Sequence, residues 1–394
     1  MTSLPPILQI LPALGDGGVE RSALEMATAL SQKAWPNLVV ADDGNLAPHL
    51  APLGTPHIML PLSRKNPFLL PWNIYHLRRL FMSHPGAIVH VRSRWPAWCA
   101  WLAWCLTPKA ARGFFVSTFH GTYSHDSALK RVYNRVMLKG TVIANSQFIR
   151  DHISQVYSLS PHAIAVAPRG VDETRFSPAA LTPAERHAAR ALWPEDCENR
   201  FLCVGRLTRW KGQLLLLEAL THLSTSLLWH LVIVGDSKEG DPYKQEILTF
   251  IETHNLTSRV TLAGSRSDIP ALNDAATLAF SPSIRPEAFG RVAIEAMAMG
   301  TPVIATALGG SKETIQHGQT GWLVHVQHPT VLAGMPQALA QTIETALTTP
   351  PKTLKKMGED ARAHVVATYT TARTCAAEIA VYQRLIAGHG LTQK

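Results

Sequence analysis

Two glutamates eight residues apart stand in one apolar stretch, Pro286-Glu287-Ala288-Phe289-Gly290-Arg291-Val292-Ala293-Ile294-Glu295. The segment reads as a loop that turns into a helix near Phe289, with Gly300 and Pro302 ending the helix. Val292, Ala293, Ala296, Met297 and Gly300 mark its buried face, so Glu295 is a carboxylate on an otherwise apolar helix and wants hydrogen-bond donors. Sugar and ribose hydroxyls would serve. The free N–H groups around Phe289–Gly290–Arg291 could meet a phosphate. Further upstream, Val204-Gly205-Arg206-Leu207-Thr208-Arg209-Trp210-Lys211-Gly212 places two cations just after an apolar run. Arg206 offers a planar fork and Lys211 a compact charge, a combination suited to a diphosphate. Taken singly, the pieces also fit a helix-start Glu, a surface Glu and a solvated basic loop.

Two more sets lie in the first half. Gly15-Asp16-Gly17-Gly18-Val19-Glu20-Arg21 follows the first apolar run. Its glycines let the backbone turn tightly and approach a ligand at the start of a helix. The spacing is not G-x-G-x-x-G, and an ordinary strand-to-helix turn would look similar. Phe119-His120-Gly121-Thr122 ends another apolar run, where His120 could bond a substrate hydroxyl or serve as a structural loop histidine.

The elements that must position these residues are short apolar runs separated by amphipathic segments. Runs at 7–11, 37–41, 57–60, 87–91, 114–118, 142–144 and 164–167 read as strands, and the pattern restarts at 201–204, 231–234, 259–262, 277–280 and 302–305. Near-continuous apolar strands alternating with helices indicate an α/β chain with parallel sheets. The 394 residues suffice for two domains, and a Pro- and Ala-rich stretch at 176–192 is the expected seam.

Charge is unevenly placed. Residues 1–178 carry 17 Lys and Arg against 9 Asp and Glu, whereas residues 179–394 carry 20 against 19. Within residues 51–150 the count is 13 against 1, so the first half is expected to meet something acidic. Two segments there stand out. The run 92–106 holds Trp95, Trp98, Trp101 and Trp104, and 124–140 reads as one helix. That helix has an apolar stripe (Leu129, Val132, Tyr133, Val136, Met137) and a basic face (Arg131, Arg135, Lys139). Together with Lys109 and Arg112 they are expected to dock on an anionic inner leaflet; a buried tryptophan helix and a solvated basic face are the plainer readings. No signal peptide or run of about 18 apolar residues is evident. Five scattered cysteines without C-x-x-C fit reduced thiols in the cytoplasm, at most peripheral to the inner face of the plasma membrane.

Assembled in this order, the motifs resemble the family 4 glycosyltransferases of the GT-B fold over nearly the whole chain. Gly309-Gly310-Ser311-Lys312-Glu313 matches that family's Gly-Gly-x-x-Glu turn. The resemblance implies two Rossmann-like domains with parallel sheets facing across a cleft. Residues 1–178 would bind acceptor and 190–370 the nucleotide sugar, with a final helix at about 371–394 packed back on the first domain. It further implies that Glu287 contacts the transferred sugar, Glu295 the ribose, and Arg206 and Lys211 the diphosphate. His120 would lie beside the sugar, and Gly18 would approach the phosphate. Arg266, Ala288, Phe289 and Gly290 complete the expected donor-binding set, and His120, Glu287, Arg206 and Lys211 the catalytic one. Such enzymes retain the anomeric configuration and need neither metal nor bound cofactor. Arg169 stands where the family commonly has Asn, and Arg291 where it has Leu. The expected activity is transfer of a hexose-type residue to a lipid-linked or surface-glycan acceptor of lipopolysaccharide type. A GT-B nucleotide-sugar epimerase is the enzymatic alternative. A nucleic-acid-binding protein is the alternative from another class, although no helix-turn-helix, RRM or zinc-finger pattern supports nucleic acid as a partner.

Overall fold

The computed structural model describes residues 4–15, 17–237, 239–325 and 334–392, so Asp16 of the glycine loop and the ends of the chain lie outside the described residues. The chain divides into two compact units, Met1–Pro168 with Ala372–Lys394, and Arg169–Thr371.

Unit 1 is a parallel sheet of β1 (Ile7–Ala13), β2 (Asn37–Asp42), β3 (His57–Met59), β4 (Ile88–Val91), β5 (Phe114–Phe119), β6 (Thr141–Ala144) and β7 (Ile164–Val166). Its helices are α1 (Gly18–Gln32), α2 (Leu70–Ser83), α3 (Arg94–Leu106), α4 (Ala128–Asn134) and α5 (Gln147–Tyr157). The strand order is β3-β2-β1-β4-β5-β6-β7. Sequence order therefore reverses between β1 and β4, and the crevice at the carboxyl ends of those two strands is where such sheets take ligands. The loop of Gly15, Gly17 and Gly18 follows β1, and His120 follows β5 on the same edge.

Unit 2 repeats the plan. It contains α6 (Pro183–Arg190), β8 (Asn199–Val204), α7 (Gln213–Thr221), β9 (Trp229–Val234), α8 (Pro242–Thr253), β10 (Val260–Leu262) and α9 (Ile269–Ala275). It continues through β11 (Leu278–Ser281), α10 (Arg291–Ala298), β12 (Val303–Thr306), α11 (Ser311–Thr314), β13 (Gly321–Val324), α12 (Met335–Thr348) and α13 (Pro351–Thr368). The order β10-β9-β8-β11-β12-β13 puts the reversal between β8 and β11.

The last helix, α14 (Thr371–Thr392), belongs with unit 1. Its Cys375, Ile379, Val381 and Tyr382 join the apolar core of Ile7, Ile88, Val116 and Ile143. A buried polar chain fixes it there. Arg92 donates to Gln9 Oε1 at 2.9 Å and to Glu378 Oε2 at 2.8 Å. The ring of His90 bonds the Tyr382 hydroxyl at 2.6 Å and Thr118 Oγ1 at 2.7 Å.

The two units divide between Pro168 and Arg169. The stretch 176–192 contains α6, started by a Thr182/Glu185 capping box and packed into unit 2 through Ala189. Two local expectations are corrected. The helix read at 124–140 is only α4 followed by a single 3-10 segment, Arg135–Leu138. Its stripe is split: Val136 and Met137 are buried, while Leu129 and Val132 face solvent. Finally, β13 (Gly321–Val324) is a strand that follows the last run read at 302–305 and was not among the expected ones.

Candidate functional site

In unit 2 the loops after β8, β11 and β12 meet at the reversal point. The β8 strand ends at Val204, and Gly205 and Arg206 follow. A short 3-10 segment, Arg209–Lys211, then hands over to α7 through Gly212. Gly212 has φ +75°, and a Cβ there would sit 1.9 Å from the Pro282 carbonyl oxygen, so only glycine lets the two loops touch. Ile284 N–H donates to the Trp210 carbonyl at 2.8 Å, which laces the β8 loop to the β11 loop. Gln213 Nε2 donates to the Arg206 carbonyl at 3.0 Å, fixing the turn that carries Arg206.

At the junction, Lys211 Nζ donates to Glu287 Oε1 at 2.8 Å. Their side chains are 14% and 9% exposed, which makes this a nearly buried ion pair. Ser283 Oγ donates to the same carboxylate oxygen, and the Ser283 carbonyl accepts from Thr306 Oγ1 at 2.6 Å. The backbone of Glu287 is held from the other side: Gly310 N–H donates to its carbonyl at 2.9 Å. Gly309, at φ +63°, leaves no room for a Cβ against that carbonyl. Lys211 also lies over the Trp210 ring, 4.6 Å from its centroid. The neighbouring Cys203 thiol is pushed up to about 12 by burial, partly opposed by Lys211, and is inert as a nucleophile.

Two helix N-termini open onto the same edge of the sheet, α7 after β8 and α10 after β11. Gly290, at φ +88°, caps α10, so the helix starts three residues after Ala288, with its N-terminus at this edge of the sheet. Phe289 is itself a core side chain, packed on Tyr369, so only its backbone can reach a ligand. Glu295 lies in the second turn of α10, and Arg291 Nε stands 3.6 Å from its Oε1. Arg206 is exposed. The structure thus brings Lys211, Glu287, Gly290 and the start of α10 together, with Arg206 on the same loop as Lys211. Arg266 follows edge strand β10 and forks onto Asp268 at 2.8 and 2.6 Å.

In unit 1, Gly18 opens α1 with nothing within 4 Å of where a Cβ would stand. His120 follows β5 directly. Near its loop, the Arg94 guanidinium covers the Tyr123 ring at 4.4 Å and donates to Asn134 Oδ1 at 2.9 Å. Burial pushes the Tyr123 hydroxyl up to about 12, against the pull of Arg94.

Chemically, the unit 2 edge offers fixed positive charge and a helix N-terminus to an anion, beside a carboxylate that can accept from hydroxyls. Ser283 and Thr306 were not legible as parts of it, because a lone serine or threonine after a strand carries no spacing signal. Among the described residues no group of three or more His, Cys, Asp or Glu is placed to hold a metal ion. None of the described helices is long and apolar enough to cross a membrane.

Comparison with known proteins agrees with this layout. Residues 16–175 match the family model described as Glycosyltransferase Family 4. Residues 186–364 match that described as Glycosyl transferases group 1. A crystal structure of a glycosyltransferase from Rickettsia africae ESF-5 is 32% identical, with a TM-score of 0.85 over 98% of this chain and 99% of that one. The D-inositol 3-phosphate glycosyltransferase of Mycolicibacterium gilvum is 32% identical over 252 residues, 63% of this chain and 52% of that protein. The chain spans about half the length of the curated relatives it matches. Anabaena Alr3699/HepE, solved in complex with UDP and glucose, shares the fold at 24% identity with a TM-score of 0.80 over 96% of this chain and 99% of that one.

Proposed function

Since the chain belongs to the family 4 glycosyltransferases, of the GT-B type, we propose that it moves a sugar from a nucleoside diphosphate donor to an acceptor bound by unit 1. The observation that carries this reading is the Lys211–Glu287 pair at the β8/β11 reversal, beside the start of α10. A cation and a carboxylate held 2.8 Å apart suit a ligand whose diphosphate and sugar hydroxyls adjoin.

In this reading Arg206, Lys211 and the α10 N-terminus hold the diphosphate, with the Ala288, Phe289 and Gly290 backbone lining it. Glu287 accepts from the sugar, and Glu295 from the ribose. Arg266, tied to Asp268, contributes through its loop backbone. The acceptor hydroxyl attacks the anomeric carbon from the face the diphosphate leaves. The C–O bond breaks toward the phosphate oxygen, and that oxygen takes the acceptor proton, so configuration is retained. The cations stabilise the charge on the leaving group in the role a metal would otherwise fill, each contact contributing about 3 kcal/mol. His120 lies beside the sugar and Gly18 near the phosphate.

The acceptor is a phosphate-bearing lipid-linked or surface glycan of the lipopolysaccharide kind, taken up at an anionic membrane surface. No Asp or Glu occurs between Asp43 and Asp126, which supports a negatively charged partner for unit 1. That the Mycolicibacterium relative is a D-inositol 3-phosphate glycosyltransferase supports phosphate on the acceptor.

A thermal-shift screen of nucleotide sugars tests the proposal. A donor at 100 times its dissociation constant stabilises the fold by about 2.7 kcal/mol. No shift with any donor, together with no donor turnover, would contradict it. Donor conversion without acceptor would favour the epimerase.

A further inference from the structure

The sequence directs attention to the tryptophan segment and to α4 as the surface that meets lipid. The structure uses much of the first as packing. Trp98 and Trp104 donate their indole N–H groups to backbone carbonyls of Tyr133 and Gly113. Trp101 stacks on Trp104 at 5.1 Å, and both ring systems meet Phe115 edge-on.

A different helix presents its large apolar side chains to water. Phe68 is 90% exposed, Trp72 54%, Tyr75 52% and Met82 46%. These positions fall at i, i+4, i+7 and i+14, one stripe along α2 and the turn before it. The opposite face of α2, with Asn73, Leu77 and Phe81, is buried. Arg79 completes the exposed stripe at i+11 and reaches toward Tyr75, with its guanidinium 5.8 Å from that ring. Arg64 and Lys65 are exposed in the loop just ahead.

We propose that this face of α2 docks on an anionic lipid bilayer, with Phe68, Trp72 and Tyr75 in the headgroup region and Arg64, Lys65 and Arg79 on the lipid phosphates. Amphipathic rings beside cations, on a helix lying along the surface, form the arrangement that binds at a membrane interface. The charge pattern selects the occupant. The helix sits in a stretch that holds no Asp or Glu from residue 44 to residue 125. A second copy of this chain would bring the same cations against themselves across a two-fold axis, with no carboxylate from this stretch to pair them. A bilayer rich in acidic headgroups supplies the opposite charge and takes up the rings.

Topology gives the docking a purpose. As the crossover between parallel strands β3 and β4, α2 starts on the carboxyl edge of the sheet and returns to the amino edge. Phe68, Trp72 and Tyr75 are at its start. They therefore lie on the edge that carries Gly18 and His120, where a lipid-linked acceptor would enter unit 1. This inference rests on the proposed acceptor only for that purpose; the docking itself is measured without any acceptor.

The test is co-sedimentation with vesicles of phosphatidylglycerol mixed into phosphatidylcholine, against vesicles of phosphatidylcholine alone. Wild type should bind the anionic vesicles and release from them as salt rises. The double variant Phe68→Ser/Trp72→Ser should bind at least tenfold more weakly, with an unchanged circular dichroism spectrum because both side chains are exposed. The variant Leu129→Ser/Val132→Ser, which alters the exposed pair on α4, should bind as wild type does. Three results would overturn the proposal: full binding by the α2 variant, loss of binding in the α4 variant instead, or a wild-type dimer in sedimentation that the α2 substitutions dissolve. Transfer to a detergent-dispersed acceptor is measured alongside. Absent vesicle binding with intact transfer sinks the docking alone. Intact vesicle binding with no transfer sinks the proposed acceptor alone.

Discussion

The Lys211–Glu287 pair can be taken apart one charge at a time. Lys211→Met leaves the Glu287 carboxylate with Ser283 as its remaining side-chain donor, in a place where the two side chains are only 14% and 9% exposed. Removing one partner of a fully buried pair costs about 3–5 kcal/mol, and the residual exposure here places the loss near 2–3 kcal/mol. Glu287→Gln keeps the shape and an acceptor oxygen for Lys211, so its cost should be smaller, about 1–2 kcal/mol. The double variant has no stranded charge and should lose less than the sum of the two by about 1 kcal/mol or more. Urea denaturation of the four proteins measures the cycle. Ligand binding then separates the roles. With Gln at 287, Lys211 keeps an acceptor but no opposing charge, so a bare nucleoside diphosphate should bind Glu287→Gln at least as tightly as wild type. The intact donor loses a charge-assisted bond worth about 1.5–3 kcal/mol, which is roughly a tenfold to hundredfold weaker affinity. An additive stability cycle would refute the coupling. A bare nucleotide weakened as much as the donor would refute the placing of Glu287 at the sugar.

Four further outcomes follow from the structure. Gly18→Ala adds a Cβ that meets nothing within 4 Å; stability should hold while donor turnover falls, and unchanged turnover would remove Gly18 from the site. Gly212→Ala forces a Cβ into the Pro282 carbonyl at positive φ, so unfolding should ease by about 2 kcal/mol or more, and a neutral substitution in denaturant titration would contradict the loop packing. Burial, with Arg92 adding to it, holds the His90 ring down at about 3, against 6.5 in the unfolded chain. The folded state then stays neutral where the unfolded chain takes up a proton, so stability present above about pH 6.5 should drain away as pH falls toward about 3. Urea titrations at several pH values should show a shallower decline in His90→Gln, and identical slopes would count against it. Turnover should survive a chelator, and an enzyme silenced by EDTA and revived by Mg²⁺ would overturn the metal-free proposal.

Most strands were readable because a strand buried on both faces is an unbroken apolar run, and β1, β2 and β5 each begin where such a run begins. The Glu287 to Pro302 stretch was readable for the same reason, as carboxylates that break an apolar helix pattern. What escaped depends on distant partners. Arg92 looks like part of a basic surface in sequence, yet it is buried against Glu378, 286 residues away. Arg266 looks like a free cation until Asp268, two residues on, takes both of its arms. The α4 segment has helical spacing over 124–140, but its second half tightens into 3-10 turns as Val136 and Met137 enter the core. In α2 the aromatic positions gave no warning of exposure, since Leu77 and Phe81 on the other face satisfy the core. Proline and alanine at 176–192 mark a capped helix start as readily as a linker, and α6 begins there.

Calorimetric titration of nucleoside diphosphates into wild type, Arg206→Ala and Lys211→Ala asks most directly whether the β8/β11 edge holds the donor. Wild type should bind at least one of them, and each substitution should weaken that binding tenfold or more, a loss of about 1.4 kcal/mol for each factor of ten. Affinities that stay at the wild-type value in both variants would contradict the account.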